Sequence, residues 1–104
     1  MHILDFSEIE GFQWDSGNSQ KNWHAHGVAD GEAEEPFFNA PIIVRTDLEH
    51  STKQEKRFYL LGQTNAQRKL FIVFTIRNGS IRIISARDMT KRELRTYENS
   101  KKNT

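Results

Sequence analysis

The residues in this sequence best suited to chemistry are arginines. Arg82 and Arg87 lie on the stretch Ile81 to Glu98, IRIISARDMTKRELRTYE, where a strand pattern runs directly into a basic helix bearing Lys91, Arg92 and Arg95. A guanidinium is planar, permanently charged and able to offer two parallel N–H donors to one phosphate, so this stretch reads as a nucleic-acid surface. Arg57, on an earlier strand, is a third fork of the same kind. If such a surface cuts RNA, its side chains must supply a base for the ribose 2′-hydroxyl, cations for the charged phosphorane and an acid for the departing 5′-oxygen. DNA lacks that internal nucleophile, so a site of this kind would be specific to RNA. Arg57, Arg82 and Arg87 are the candidate cations, and Glu55 and His26 are the candidates for proton transfer. His50 offers a second imidazole, a group that ordinarily titrates near neutrality. It joins Lys21, Lys91, Arg92 and Tyr97 as the candidate RNA contacts.

Each of these residues also has a plainer reading. Arg82 and Arg87 are five apart and face opposite sides of a regular strand, so either a bulge or the strand end reorients Arg87, or only one of them lies in the site. An arginine here could equally pair with Glu93 or Glu98 and fasten the last helix to the sheet. His26 precedes Gly27, where a helix-terminal imidazole meets orphan carbonyls and the negative end of the helix dipole. Glu55 could form an exposed salt bridge. Tyr97 stands three residues after Leu94, a spacing that suits packing on an inward helix face.

Composition narrows the field. A chain of 104 residues fits one domain with a single modest core, expected over residues 1–98, with the polar tail at 99–104 frayed. The start, MHILDFSEIE, is too acidic and too briefly apolar for a signal peptide, and no run is long enough to span a membrane, so a cytoplasmic protein is expected. With no cysteine, disulfides and thiol chemistry are excluded. The four histidines, His2, His24, His26 and His50, form no metal-site spacing, so no metal and no cofactor are expected. The net charge of +1 hides an asymmetry: residues 1–55 hold 3 basic against 11 acidic side chains, and residues 56–104 hold 12 against 3. That split permits a basic face, unless the two halves interleave in the fold.

The elements that must position these residues follow from local signals. Asp15 or Ser16 can cap a first helix over Gly17 to Ala25, with Gly27 as its stop, and Asp30 can cap a second, short helix interrupted at Pro36. Strands are expected at Ile42 to Thr46, Lys56 to Gly62, Leu70 to Ile76 and Ile81 to Ala86, with Asp47 to Gln54 a loop. Asn78-Gly79 marks a two-residue hairpin turn, which sets Phe74 opposite Ile83 and Thr75 opposite Arg82. Thr90-Lys91-Arg92-Glu93 is a capping box that starts the last helix near Lys91. Phe12 and Trp14 alternate as inward-facing residues, and an exposed Trp23 would mark a protein contact. The expected class is α+β: an antiparallel sheet with two N-terminal helices and a C-terminal helix.

The stretch Arg82 to Arg87, RIISAR, followed by Glu93, Tyr97 and Glu98, resembles the BrnT family of toxins from bacterial toxin–antitoxin pairs. Phe12 to Asp15 (FQWD), Asn22 and His26 to Val28 fit the family's opening motif. Phe38 and Pro41, then Asp47, His50 and Ser51, then Glu55, Arg57, Phe58 and Gly62 fall in the family's order. Many relatives carry a lysine on the first helix where this chain has Asn18, with Lys21 three residues on. The resemblance implies a RelE-like arrangement and a ribonuclease toxin that cleaves RNA to arrest translation. It also implies a BrnA-like antitoxin partner with a small DNA-binding domain, so that DNA is met only through the antitoxin complex. The rival is a non-catalytic module of the same fold that binds antitoxin or nucleic acid.

Overall fold

The computed structural model describes residues 6–102. The reading of the acidic start at residues 1–5, with His2, and the end of the polar tail at residues 103–104 lie outside the described residues. After a 3-10 turn at Phe6–Glu8 come β1 (Gly11–Phe12), α1 (Lys21–His26) and α2 (Asp30–Glu34), which runs into a 3-10 helix at Glu35–Phe38. Then follow β2 (Ile43–Thr46), β3 (Arg57–Gln63), β4 (Lys69–Arg77), β5 (Ser80–Asp88) and α3 (Lys91–Lys102). The class is α+β, as expected. Among the described residues no helix is long and apolar enough to cross a membrane.

The five strands form one sheet in the order β1-β5-β4-β3-β2. Strands β2 to β5 are antiparallel neighbours, but β1 runs parallel to β5, with Gly11 opposite Ser80 and Phe12 opposite Ile81. The sheet is therefore mixed, not antiparallel throughout, and a pairing of two residues is too short to leave a periodic signal. The β4–β5 hairpin closes as its sequence dictates. Asn78 and Gly79 both take positive φ, 51° and 79°, which matches the twist of the flanking strands. Phe74 faces Ile83 and Thr75 faces Arg82.

Farther along, Val73 pairs with Ser85 while Phe74 pairs with Ile83, so Ile84 is an extra residue in β5. This bulge resets strand parity. Arg82 lies opposite Thr75 and Arg87 opposite Phe71, two β4 positions on the same face, so the two arginines share a side of the sheet despite their odd spacing.

The other side carries the core. Leu60, Leu70, Ile72, Phe74 and Ile83 are fully buried there beneath Val28, Ala33 and Phe37 of the helical segment. Phe37 packs edge-on against both Phe12 and Phe74, so the inward role expected of Phe12 is realised. Trp14 packs beside this cluster and donates its indole N–H to Glu34 at 2.6 Å.

The first helix is shorter than its sequence signals suggest. It begins at Lys21, because Asp15, Gly17 and Asn18 are drawn into a tight loop. The Asp15 carboxylate accepts the Gly17 N–H at 2.7 Å, and Asn18 Oδ1 accepts the Asp15 N–H at 2.9 Å. Gly27 ends the helix at φ 66° and donates to Trp23 O, the expected stop. Asp30 does not cap α2. Its carboxylate instead accepts the Ser19 hydroxyl at 2.6 Å and the Gln20 N–H at 2.9 Å, tying α2 to the start of α1.

The capping box of α3 forms in both directions: Thr90 N–H donates to Glu93 at 2.8 Å, and Glu93 N–H donates to Thr90 Oγ1 at 3.2 Å. The helix runs on to Lys102, past the boundary expected at Glu98, because Ser100 and Lys101 still find partners. Ser100 Oγ donates to Tyr97 O, and Lys101 reaches Gln63 and lies 5.0 Å from the centroid of the Tyr97 ring. Leu94 does not share Tyr97's inward role and is 38% exposed.

Candidate active site

The helix α3 crosses the second sheet face at the end nearer Leu61 and Phe71, fixed there by Tyr97 to Pro41 O and by Glu93 to Arg87. The end toward the Asn78-Gly79 turn carries the charged cluster. There Arg57, Thr75 and Arg82 occupy one cross-strand row on three neighbouring strands, so both arginines rise from the same face on either side of Thr75. Their backbones stand roughly 10 Å apart, two interstrand spacings. Thr75 is 1% exposed and donates its hydroxyl to Lys56 O at 2.8 Å, so it fixes the floor of the row.

Carboxylates from distant parts of the chain complete the row. Asp15 meets Arg82 in a two-point pair, 2.8 Å to Nη1 and 3.1 Å to Nη2. Glu55 takes two donors of Arg77 at 2.7 and 3.1 Å and stands 3.6 Å from Arg57 Nε. Three guanidiniums against two carboxylates leave one net positive charge. The hydrogen bonds from Arg82 hold the Asp15 carboxyl below its ordinary range, and those from Arg77 do the same for Glu55, so both are ionised at neutral pH. Arg82 is itself raised by Asp15 and stays charged. Arg57 is the least committed fork, 36% exposed where Arg82 is 12% exposed.

The backbone of Arg57 is clamped by the preceding loop. Asp47 N–H donates to Arg57 O at 2.7 Å, Arg57 N–H donates to Ser51 Oγ at 2.9 Å, and Ser51 Oγ also reaches Arg57 O. His50 sits on that loop, its Nδ1 2.9 Å from Asp47 Oδ2, with the ring largely exposed. The order Asp47, His50, Ser51, Glu55, Arg57 therefore folds into a single unit.

The remaining candidates lie elsewhere. Arg87 makes a two-point pair with Glu93 at 2.8 and 3.0 Å and lies over the Phe71 ring, so it fastens α3, as the plainer reading had it. That pairing raises Arg87 and lowers Glu93. His26 is not brought to the row. Its carbonyl accepts from Arg68, which also pairs with Asp88 and Glu32 and bonds Gly27 O on the helix-covered side. Lys21 is exposed at the start of α1, and Lys91 and Arg92 are exposed on α3. Tyr97 offers no surface to a base, since it is 0% exposed and its hydroxyl donates to Pro41 O at 2.8 Å. Asn18 is 3% exposed and donates to Gln13 O and Ile83 O. Trp23 is 57% exposed. Among the described residues no group of three or more His, Cys, Asp or Glu is placed to hold a metal ion.

Sequence reasoning gave Asp15 no charge partner, reading it as a helix cap and part of a motif, and did not single out Arg77, which pairs with Glu55. It also passed over Arg68. Asp15 belongs to the FQWD motif, so its presence was visible although its partner 67 residues away was not.

A mixed sheet with α1 and α2 on one side, and an arginine row beside α3 on the other, defines a small α+β domain. Residues 14–93 match the family described as ribonuclease toxin, BrnT, of type II toxin-antitoxin systems, and the chain belongs to that family. The matched range holds the whole arginine row and its carboxylates but stops at Glu93, short of Tyr97. No curated protein matches the chain.

Proposed function

We propose that this single-domain protein is a metal-independent endoribonuclease toxin with a RelE-like arrangement. It acts in the cytoplasm, cleaves RNA to inhibit translation and is neutralised by a BrnA-like DNA-binding antitoxin. The observation that carries the reading is the cross-strand row of Arg57 and Arg82 on the open sheet face. Two forks at that separation can grip one phosphate and stabilise the charge that grows on it. Glu55, ionised beside Arg57, takes the 2′-hydroxyl proton, and His50, on the loop bonded to Arg57, returns a proton to the departing 5′-oxygen. The row needs no hydroxide from a bound ion, because the nucleophile belongs to the substrate.

The test is cleavage of a single-stranded RNA by purified protein. Arg57→Ala and Arg82→Ala should each lower the rate by roughly 10²–10³, the scale of one lost transition-state donor. Arg82→Lys should remain impaired, since an ammonium gives no parallel pair of donors. Products should end in 2′,3′-cyclic phosphate, and a chelator should leave the rate unchanged. Full activity in both alanine variants would overturn the assignment.

The ion pairs themselves favour one rival. With Arg82 held by Asp15 and Arg77 by Glu55, the same surface suits a non-catalytic module that binds antitoxin or nucleic acid. Binding of RNA that weakens steeply with salt, with no cleavage, would support that reading instead.

A further inference from the structure

Between the arginine row and α3 the open face carries two aromatic rings. Tyr59 of β3 and Phe71 of β4 are stacked, with centroids 5.4 Å apart and planes at 25°. The guanidinium carbon of Arg87 lies 4.2 Å from the Phe71 centroid. Arg45 of β2 is the direct cross-strand partner of Tyr59. A diagonal stripe of cation, ring, ring and cation therefore crosses four strands. Tyr59 follows Arg57 by two residues on the same strand, so both face the same way, about 7 Å apart along the backbone. Both rings keep part of their surface open, whereas Leu60 and Ile72, one residue on in each strand, are fully buried on the opposite face.

We propose that Tyr59, backed by Phe71, is the stacking site for one unpaired nucleobase of the RNA whose phosphate is gripped at Arg57, an inference that rests on the ribonuclease reading above. The charge around the rings selects the occupant. Arg45, Arg57 and Arg87 surround them, which favours a polyanion that presents a flat apolar group beside each phosphate. Stacking on a ring requires a base released from pairing, so the occupant is single-stranded. Phe71 has its own neighbour in Arg87, which leaves Tyr59 as the end of the stack that a base can extend. The site contributes affinity and fixes which phosphate meets the row, with little choice among the four bases, because each has a π-face.

The test uses a short RNA made resistant to cleavage by one 2′-deoxy sugar, and a matched series with a single abasic position. For the intact RNA, Tyr59→Ala should weaken binding by about 5- to 100-fold, the range found when one base loses its aromatic partner, while Tyr59→Phe should bind like the wild type. One abasic position should weaken the wild type by a similar factor and cost Tyr59→Ala nothing further. Tyr59→Leu, which keeps apolar bulk on the sheet, should match Tyr59→Ala in binding and the wild type in melting temperature. Undiminished binding in the Ala and Leu variants would overturn the proposal, as would an equal loss on every abasic RNA. In either case a wild type that still cuts RNA leaves the ribonuclease reading standing. A wild type that neither binds nor cuts RNA would overturn that reading, and the stacking site with it.

Discussion

At the scale of single residues, the guanidiniums do unequal work. Arg82 is seated by Asp15, and the seat depends on Gly17. A Cβ at Gly17 would come 2.7 Å from Arg82 Nη2 and 3.0 Å from Asp15 Oδ1, so Gly17→Ala must push the fork aside. The substitution should lower the cleavage rate about tenfold or more while leaving the melting temperature nearly unchanged, since misplacing a reacting group by an ångström has that effect. Arg87 should behave in the opposite way. Arg87→Ala should cost on the order of 1 kcal/mol in urea unfolding, because it releases Glu93 and the ring contact with Phe71, and should alter the rate of chemistry far less than Arg82→Ala. Acid gives an independent check on the same pairs. Asp15, Glu55, Asp88 and Glu93 are all held below their ordinary range by arginine hydrogen bonds. A carboxyl lowered in the native state stabilises above its unfolded pKa, and that contribution disappears as pH falls through the native value. The melting temperature should therefore be level from neutrality down to about pH 5 and fall below about pH 4, with a shallower fall in Glu93→Gln.

At the scale of elements, close packing of the 3-10 helix on β3 sets the height of the helical layer. A Cβ on Gly62 would lie 2.9 Å from both Leu60 Cδ2 and Pro36 Cβ, and 3.3 Å from Pro36 O, where backbone must yield. Gly62→Ala should destabilise by about 1–3 kcal/mol, readable as a shifted urea midpoint with an unchanged slope. This scale was also the most legible in the sequence. Asn78-Gly79 yielded not only a hairpin but its register, because a two-residue turn leaves the flanking strands no freedom to slide. Thr90 and Glu93 gave the start of α3, and Gly27 the stop of α1, since each acts through backbone groups a few residues away. The failures share the opposite property. The pairing of β1 with β5 is marked by no local residue preference, and the bulge at Ile84, one of the alternatives offered by the odd spacing of Arg82 and Arg87, could not be placed at a residue beforehand. The start of α1 moved because Asp15 answers to Arg82 as well as to its own loop. For the site, Arg57, Arg82 and Glu55 could be named from type and spacing, but Asp15 and Tyr59 acquire meaning only once the strands are laid side by side.

At the scale of the whole molecule, the acidic and basic halves of the sequence interleave at Asp15 with Arg82, Glu32 with Arg68 and Glu55 with Arg77. Outside these pairs, exposed cations remain on α3, at Lys91, Arg92 and Arg95. The boundary of the sheet tells a different story. Along β5, the backbone of β1 pairs at Ser80 and Ile81, and Gln13 N–H donates to Ile81 O. Beyond that point two side chains take over, with Asn18 Nδ2 donating to Ile83 O and Asn22 Oδ1 accepting from Ala86 N–H, each at 3.0 Å. Two asparagines thus impersonate a missing strand at Ile83 O and Ala86 N–H, two edge groups that would otherwise be open to a second chain. Asn18→Ala with Asn22→Ala should free that margin, and light scattering at rising concentration should reveal self-association absent from the parent. The margin at β2 is only four residues long and carries the exposed Arg45. With two of its β5 edge groups occupied and its β2 edge short and bearing an arginine, the sheet offers a second copy of the chain little to pair with.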